Sequence, residues 1–315
     1  MEPANNSNVH VTEFILLGFP YLHNYTFLLF FIFLMIYILI ILGNASILVA
    51  VSTTKKLHSP MFFFLSNLAV IDILAANTAI PKMLALFIFN DNTISFSACF
   101  LQLYILHSLG VTEGLILVVM AYDRYIAICS PLRYTVIMTS KVNILMTATS
   151  WITSFILIGG AILKTLELPF CGPNRINHCF CDHLFVIRLA CADVSLHTYI
   201  GFFIAMTVAI VPLALVGFSY AKIILSLLNM YSNKGGWKAF STCSSHLTVV
   251  IMYYLFIGII YASYRVESGS DEFHAFGTVL LTTLNPMLNP IIYALRNKDV
   301  KETLRKCIIM KIFQN

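Results

Sequence analysis

The amino-acid sequence predicts an all-α membrane protein, built as a seven-transmembrane helix bundle. Hydrophobic residues make up 59% of the 315 residues and charged residues only 10%, and the mean hydropathy is +0.86. This composition lies far outside that of soluble globular domains. Apolar residues continue from about Thr26 to Leu295 with no polar linker long enough to separate two cores. The sequence therefore indicates a single domain over residues 1–315.

The spans are recognised from the positions of the charged residues. A helix needs about 20 apolar residues to cross the hydrocarbon core, because each residue rises about 1.5 Å through roughly 30 Å. Five charge-free stretches are long enough, and they lie between residues 13 and 55, 141 and 164, 193 and 222, 238 and 265, and 272 and 296. Two further stretches each contain one acid, Asp72 or Glu113. Runs such as FLLFFIFLMIYILIIL are apolar on every face, which favours helices over membrane β-strands.

The distribution of basic residues predicts the orientation of the chain. If the amino terminus is outside, 14 of the 19 Lys and Arg residues fall in the inner loops and tail. We therefore expect residues 1–25 outside, residues 26–295 in the bundle, and residues 296–315 as a cytoplasmic tail with a short amphipathic helix. The net charge of +5 then reflects topology and indicates no nucleic-acid partner. No cleaved signal peptide is expected at MEPANNSNVH, and Asn5 of the Asn-Asn-Ser sequon is the expected glycosylation site.

Eight cysteines divide between the two predicted sides of the membrane. Those expected outside, where disulfides form, are Cys99, Cys171, Cys179, Cys181 and Cys191, and those expected inside are Cys129, Cys243 and Cys307. Four of the outer five occupy the loop between the fourth and fifth spans, which we expect to be ordered by crosslinks because it has no hydrophobic core of its own. Five is odd, so one thiol remains, and spacing alone leaves the pairing open. The alternative interpretation is a zinc site formed by Cys171, His178, Cys179, Cys181, Asp182 and His183.

Two acids within the spans are candidates for a functional site. A carboxylate in the membrane interior costs several kcal/mol unless it is paired, hydrated or protonated, which makes Asp72 and Glu113 stand out. The polar residues available as their partners are Asn44, Asn67, Ser108, Asn285 and Asn289. Such a cluster can hold a small cation such as sodium or transfer a proton. The competing interpretation is an inert hydrogen-bonded core.

Adjacent charges mark the inner end of the third predicted span. Asp123 and Arg124 can form a local ion pair there and face cytosolic partners. Taken alone, the same two residues would also serve as an interfacial anchor.

Several segments resemble the olfactory branch of the rhodopsin-like G-protein-coupled receptors, from one end of the chain to the other. The matching segments are LHSPMFFFLSNLAVID, MAYDRYIAICSPLRY, CGPNRINHCFCD, SY followed by KAFSTCSSHL, and PMLNPIIYALRN. Two of them, MAYDRYIAICSPLRY and KAFSTCSSHL, are long and fall at the expected places in the topology. Departures are mild: Phe62 replaces a usual tyrosine, Cys179 replaces a usual aromatic, and the third inner loop, NKGGWKAF, is less basic than usual.

The resemblance implies an odorant receptor. Such a receptor binds a small, volatile, mostly apolar odorant and activates a heterotrimeric stimulatory G protein of the olfactory type, raising cyclic AMP. It implies location in the plasma membrane and in sensory cilia. It also implies that Arg124, next to Asp123, holds the inactive state and then engages the G protein, while Tyr220 and Tyr293 rearrange beside it. The implied disulfides are Cys99–Cys181 and Cys171–Cys191.

The resemblance places the ligand pocket between the outer halves of the third, fifth, sixth and seventh spans. The residues predicted to line it are Tyr104, Leu106, His107, Gly110 and Val111 on the third span, and Tyr254, Ile257, Gly258 and Tyr261 on the sixth. This set is mostly apolar and has no fixed charge, which suits a small neutral molecule with an oxygen function. The alternative is that these side chains only pack the helices together.

Competing functions meet specific objections in the sequence. A rhodopsin-like receptor for another small-molecule ligand is the main alternative, but an amine receptor would need an acid at Leu106, and an opsin would need a lysine in the last span. A transporter that uses Asp72 and Glu113 as an ion path would commonly show an internal repeat, and we find none. No nucleophile–base or metal constellation indicates an enzyme.

Overall fold

The computed structural model describes residues 11–229, 235–263, 270–296 and 301. Within these residues, seven helices are long and apolar enough to cross a membrane, which confirms the predicted fold class. They are α1 (Thr26–Thr53), α2 (Pro60–Phe89), α3 (Phe96–Cys129), α5 (Ser140–Leu166), α7 (Ser195–Asn229), α8 (Gly235–Ser263) and α9 (Ser270–Arg296), and the short helices α4 (Tyr134–Ile137) and α6 (His183–Ile187) lie between them. Asn5 and the predicted amphipathic helix of the tail lie outside the described residues.

Helix α3 is at the centre of the bundle, where it contacts α2, α5, α7 and α8. Fifteen of its 34 residues are buried, including the acids Glu113 and Asp123. By contrast, only five of the 28 residues of α1 are buried, although its sequence is more apolar. This difference follows from position, because a helix at the edge of a bundle presents most of its surface to lipid.

Helices α1 and α9 approach each other closely at Gly43. A Cβ atom on Gly43 would lie 2.8 Å from Cγ of Pro290, so the glycine leaves the space that the proline ring occupies. One residue further on, Asn44 donates a hydrogen bond from Nδ2 to the carbonyl oxygen of Pro286 at 3.0 Å. These contacts fix α9 against α1 near the middle of both helices.

One end of the bundle carries a small sheet that the sequence did not predict. Its strands are β1 (Glu13–Leu16), β2 (Thr93–Ser95) and β3 (Arg175–Ile176), with β1 in the middle, antiparallel to β2 and parallel to β3. Phe14 and Leu16 on β1 are fully buried, as expected for alternate residues on one face of a strand. We call this the sheet end, and the opposite end, which carries Asp123 and Arg124, the Arg124 end.

The loop between α5 and α7 differs from the expectation that it has no core. Phe180, Phe185, Val186 and Ile187 are all at most 6% exposed. They belong to one apolar cluster with Phe14 of β1 and residues of α2, α3 and α9. The loop therefore shares a core with the helix ends and the sheet, and its two crosslinks are not its only support.

Candidate functional site

A cavity of about 630 Å³ opens among α3, α5, α7, α8 and α9 at the sheet end, and the loop between α5 and α7 covers part of it. Most of its lining is apolar, from residues such as Ile158, Ile187 and Ala209. Its volume lies within the range typical of small-molecule sites. It is therefore the candidate ligand cavity.

Five of the residues predicted for the pocket line this cavity: Leu106, His107, Gly110, Val111 and Ile257. Gly110 has open space beside it, because a Cβ atom there would meet no other atom within 4 Å. The third span therefore presents most of its predicted face to the cavity.

Three of the other predicted residues, Tyr104, Tyr254 and Gly258, do not line the cavity. Tyr104 faces α5, where its hydroxyl donates to the carbonyl oxygen of Phe155 at 3.3 Å. On α8 the cavity is lined by Tyr253, Ile260 and the predicted Ile257, whereas the predicted Tyr254 and Gly258 are not part of the lining. Spacings of four and three residues put this first set on one side of the helix, which turns Tyr254 away.

The Tyr253 hydroxyl donates to the carbonyl oxygen of Gly110 at 2.8 Å, which ties α8 to α3 across the cavity. Gly258 is exposed, and a Cβ atom on it would meet nothing within 4 Å. The side chain of Tyr261 lies outside the described residues.

A buried polar group covers the cavity at the sheet end. Asp182 accepts hydrogen bonds from the backbone N–H of Leu184 at 3.0 Å and from Nε2 of His274 at 3.2 Å. Burial acts to raise the pKa of Asp182, but the hydrogen bond from His274 and its electrostatic attraction outweigh this and hold that pKa well below its usual range. Asp182 thus remains a carboxylate that fastens the loop to α9.

His178 makes a second link from the loop to α9. Its Nδ1 accepts from the backbone N–H of Phe180 at 3.2 Å, so Nε2 carries the proton and donates to Oγ1 of Thr278 at 2.6 Å. Burial lowers the pKa of His178 to about 4, so the ring is neutral at pH 7. The sequence offered these loop residues only as zinc ligands, and Cys171 and Cys181 of that set are instead disulfide-bonded.

The disulfides join Cys99 to Cys181 and Cys171 to Cys191, the two pairs that the resemblance implied. The first fastens the loop to the first turn of α3, and the second closes the loop on itself. Cys179 is a free, fully buried thiol.

The two intramembrane acids meet in a polar cluster between α2, α3 and α9. Nδ2 of Asn289 lies 3.1 Å from Oδ2 of Asp72 and 3.5 Å from Oε1 of Glu113. Asn285 donates to the same Oε1 atom at 2.5 Å. The amide oxygens of Asn285 and Asn289 are buried and have no hydrogen-bond partner among the described residues.

Three other residues proposed as partners of these acids have different roles. Asn44 bonds to backbone carbonyls of α1 and α9, and Asn67 faces α5, where its Oδ1 accepts from Nε1 of Trp151 at 3.4 Å. The buried hydroxyl of Ser108 has no partner among the described residues. The sequence could not show that Asn67 faces away from the two acids, because α2 packs against α5 as well as against α3 and α9.

At the Arg124 end, the guanidinium of Arg124 is bonded to Asp123. Nε donates to Oδ2 of Asp123 at 2.9 Å, and Nη2 is paired with the same oxygen. Oδ1 of Asp123 accepts from the hydroxyl of Tyr134 in α4 at 2.7 Å. Asp123 is fully buried, while the Arg124 side chain is 14% exposed. The pair thus holds Arg124 against α3 and the neighbouring loop.

Both predicted tyrosines are buried at the same end. The Tyr220 hydroxyl lies 2.7 Å from Nδ1 of His246 and 3.2 Å from the carbonyl oxygen of Cys243, which connects α7 to α8. The Tyr293 hydroxyl is buried without a partner in the described part of the chain. The sequence analysis did not single out His246, although it lies within the segment KAFSTCSSHL.

A seven-helix bundle with a small-molecule cavity at one end and a paired Asp–Arg at the other has the architecture of a membrane receptor. The family model for olfactory receptors matches residues 33–311. The chain is 49% identical over 294 residues to human olfactory receptor 2AT4, covering 93% of this chain and 92% of that protein. It is 43% identical over 301 residues to human olfactory receptor 2A25, covering 96% and 97%, and 41% identical over 299 residues to mouse olfactory receptor 6B9, covering 95% and 94%.

The chain belongs to the olfactory receptor family. It is therefore a G-protein-coupled odorant receptor and not an enzyme.

Proposed function

We propose that the odorant binds in the cavity between α3, α5, α7, α8 and α9, and that the receptor then activates a stimulatory G protein and raises cyclic AMP. The observation that carries the ligand site is the cavity of about 630 Å³ with an apolar lining and a few polar atoms. Apolar burial supplies affinity for a small volatile molecule, and one or two polar contacts orient it.

The contacts of α8 suggest how binding is communicated to the Arg124 end. Near the cavity, Tyr253 of α8 is bonded to Gly110 of α3. Two to three turns earlier on the same helix, the carbonyl oxygen of Cys243 and the ring of His246 contact the Tyr220 hydroxyl. A ligand that fills the cavity beside the Tyr253–Gly110 hydrogen bond will therefore bias the position of α8, and with it the packing beside Arg124.

We further propose that the sheet end is extracellular and that the receptor acts at the plasma membrane, including that of sensory cilia. The excess of Lys and Arg at the opposite end of the spans supports this orientation. The two disulfides support it as well, because they lie at the sheet end and form in oxidising compartments. Glycosylation at Asn5 is the corresponding expectation for the amino terminus.

The ligand site is tested by filling the cavity. Gly110→Leu should raise the odorant concentration needed for half-maximal cyclic AMP by roughly tenfold or more, because the added side chain projects into space that a ligand would use. Gly258→Leu is the matched control, since that glycine has equally open surroundings but does not line the cavity. The measurement is a dose response to a panel of volatiles in cells with equal surface receptor. Equal dose responses for both variants and the wild type would rule out this ligand site.

We also propose that the polar cluster of Asp72 and Glu113 holds a sodium ion in the resting state. The residues fit, because two carboxylates and the side chains of Asn285 and Asn289 meet between α2, α3 and α9. A half-turn of each amide would present its unpartnered oxygen to a cation in place of the N–H that now faces the acids. Carboxylate and carbonyl oxygens are the ligands that such hard cations prefer. A bound cation would offset part of the free energy that it costs to place two carboxylates inside the membrane.

This proposal predicts sodium-dependent basal activity. In membranes from expressing cells, replacing sodium chloride with N-methylglucamine chloride at equal ionic strength should raise basal guanine-nucleotide exchange on the G protein. Asp72→Asn should remove that difference, because it deletes one of the two carboxylates. A wild-type receptor with the same basal exchange in both salts would instead support an inert polar core.

A further inference from the structure

The hydrogen-bonding state of the cavity's polar atoms can be worked out from their partners. Nδ1 of His107 lies 3.0 Å from the carbonyl oxygen of Leu103, one turn earlier on α3. A carbonyl oxygen only accepts, so Nδ1 carries the proton. In the neutral ring, Nε2 is then a bare acceptor, and it has no hydrogen bond to any described residue.

His183 is fixed in the opposite tautomer, with the same consequence. Its Nε2 lies 3.1 Å from Oγ1 of Thr165, and that hydroxyl already donates its single proton to the carbonyl oxygen of Ala161 at 3.0 Å. With that proton on Ala161, the Thr165 hydroxyl accepts from Nε2 of His183, and Nδ1 of His183 is then an acceptor. That nitrogen lies 3.5 Å from where a Cβ of Gly201 would be, and Gly201 also lines the cavity. Burial lowers the pKa of His183 to about 4, so the ring stays neutral at pH 7.

Three hydroxyl groups of the lining already donate to backbone carbonyl oxygens. Tyr253 donates to the carbonyl oxygen of Gly110 at 2.8 Å, Thr278 to that of His274 at 3.0 Å, and Thr282 to that of Thr278 at 2.7 Å. The lining hydroxyls without such a bond, on Thr198 and Tyr199, are both on exposed side chains in the first turns of α7.

Asp182 adds a third acceptor to the lining, because an ionised carboxylate only accepts. The two imidazoles are close enough to act on one ligand, with 6.5 Å between their ring centroids.

From this arrangement we propose that the cavity selects ligands with a hydroxyl donor, namely alcohols and phenols, over carbonyl compounds and ethers of the same carbon skeleton. This inference rests on the proposed ligand site. A hydroxyl supplies the proton that His107 or His183 lacks. A ketone, aldehyde or ether brings only further acceptors, so it leaves Nε2 of His107 and Nδ1 of His183 unpaired, and a buried unpaired polar group is costly. Recognition of this kind can discriminate more sharply than the fit of apolar groups alone.

The test compares compounds that differ only in the donor. Octanol, cyclohexanol and phenylethanol are each assayed beside their methyl ethers and the corresponding aldehyde or ketone. Guanine-nucleotide exchange in isolated, washed membranes is the readout, so that cellular oxidation of the alcohols does not mix the classes. We expect at least one alcohol to be roughly tenfold or more as potent as its methyl ether and its carbonyl partner.

Variants connect the preference to the two histidines. His107→Phe and His183→Phe should each lower alcohol potency and bring the alcohol-to-ether ratio toward one, while the response to an apolar ether is retained. Tyr104→Phe is the control on α3, because the Tyr104 hydroxyl bonds to Phe155 outside the cavity. The alcohol-to-ether potency ratio of this variant should match that of the wild type. Surface level is measured for every variant, and the wild-type ratio is informative even if a variant fails to fold.

Failure of the donor preference can be distinguished from failure of the proposed ligand site. Ethers or ketones as potent as the alcohols on the wild-type receptor would overturn the donor preference and leave the ligand site intact. A preference for alcohols that persists in both histidine variants at normal surface level would overturn the assignment to these rings. A panel in which no compound activates the receptor would contradict the proposed ligand class and this inference together.

Discussion

Replacing Arg124 with alanine is expected to abolish odorant-dependent activation of the G protein while leaving surface expression nearly normal. Arg124 lies near the end of α3 that is opposite the sheet, and its guanidinium is held by the fully buried carboxylate of Asp123. Its side chain is 14% exposed, so a modest rearrangement is enough to present the charge to a partner. Removal of the side chain takes away the cation that Asp123 holds in this position.

The measurement is odorant-evoked cyclic AMP together with guanine-nucleotide exchange, at matched surface receptor. Arg133→Ala is the control, because Arg133 is an exposed arginine in the adjoining turn at the same end. A loss of at least tenfold in the maximal response is expected for Arg124→Ala and little change for Arg133→Ala. An Arg124→Ala receptor with an unchanged dose response would refute the role of Arg124 in coupling.

The membrane spans were predictable because the sequence encodes them locally. The need for about 20 apolar residues per crossing makes each charged residue a boundary marker, and helix α1 begins at Thr26, as expected. The small three-stranded sheet, by contrast, was not predictable from the sequence. Strand β1 pairs with segments some 80 and 160 residues away, and β3 is only two residues long. Pairings between such short, distant segments leave no periodic pattern in one sequence.

In the cavity too, some lining residues follow from helical spacing within the sequence and others only from how the helices pack. Helical spacing put His107, Gly110 and Val111 on one face of α3, and they do share the cavity. On α8 the prediction named Tyr254 and left out its neighbour Tyr253, because spacing alone does not say which of the two adjacent tyrosines faces α3. The answer depends on how α8 packs, and Gly114 of α3 leaves room for the ring of Tyr253, whose hydroxyl would lie 3.1 Å from a Cβ there.

The loop residues were missed for a related reason. Asp182 and His183 follow Cys181, and their spacing to other histidines resembles a metal site when only the sequence is considered. Their partners, His274 on α9 and Thr165 on α5, come from helices far away along the chain. Only the folded arrangement shows that the loop closes a cavity.

Loss of the crosslink between Cys99 and Cys181 is expected to remove most of the functional receptor from the cell surface. Cys99 lies in the first turn of α3, and Cys181 lies between Phe180 and Asp182, which both line the cavity. Without the bond, an 82-residue separation along the chain is no longer closed in the unfolded state. Removal of a native disulfide typically costs about 2–5 kcal/mol, a large part of the stability of an average domain.

The experiment compares Cys99→Ser, Cys181→Ser and the double variant with Cys179→Ala. Cys179 is the matched control, because it is a buried cysteine two residues from Cys181 that forms no disulfide. Surface staining and thermal unfolding in detergent are the measurements. If the bond itself is what matters, the double variant should be no worse than either serine variant, since one substitution already removes the crosslink. Surface levels that fall as far for Cys179→Ala as for Cys99→Ser would show instead that this loop depends on the packing of its cysteines and not on their pairing.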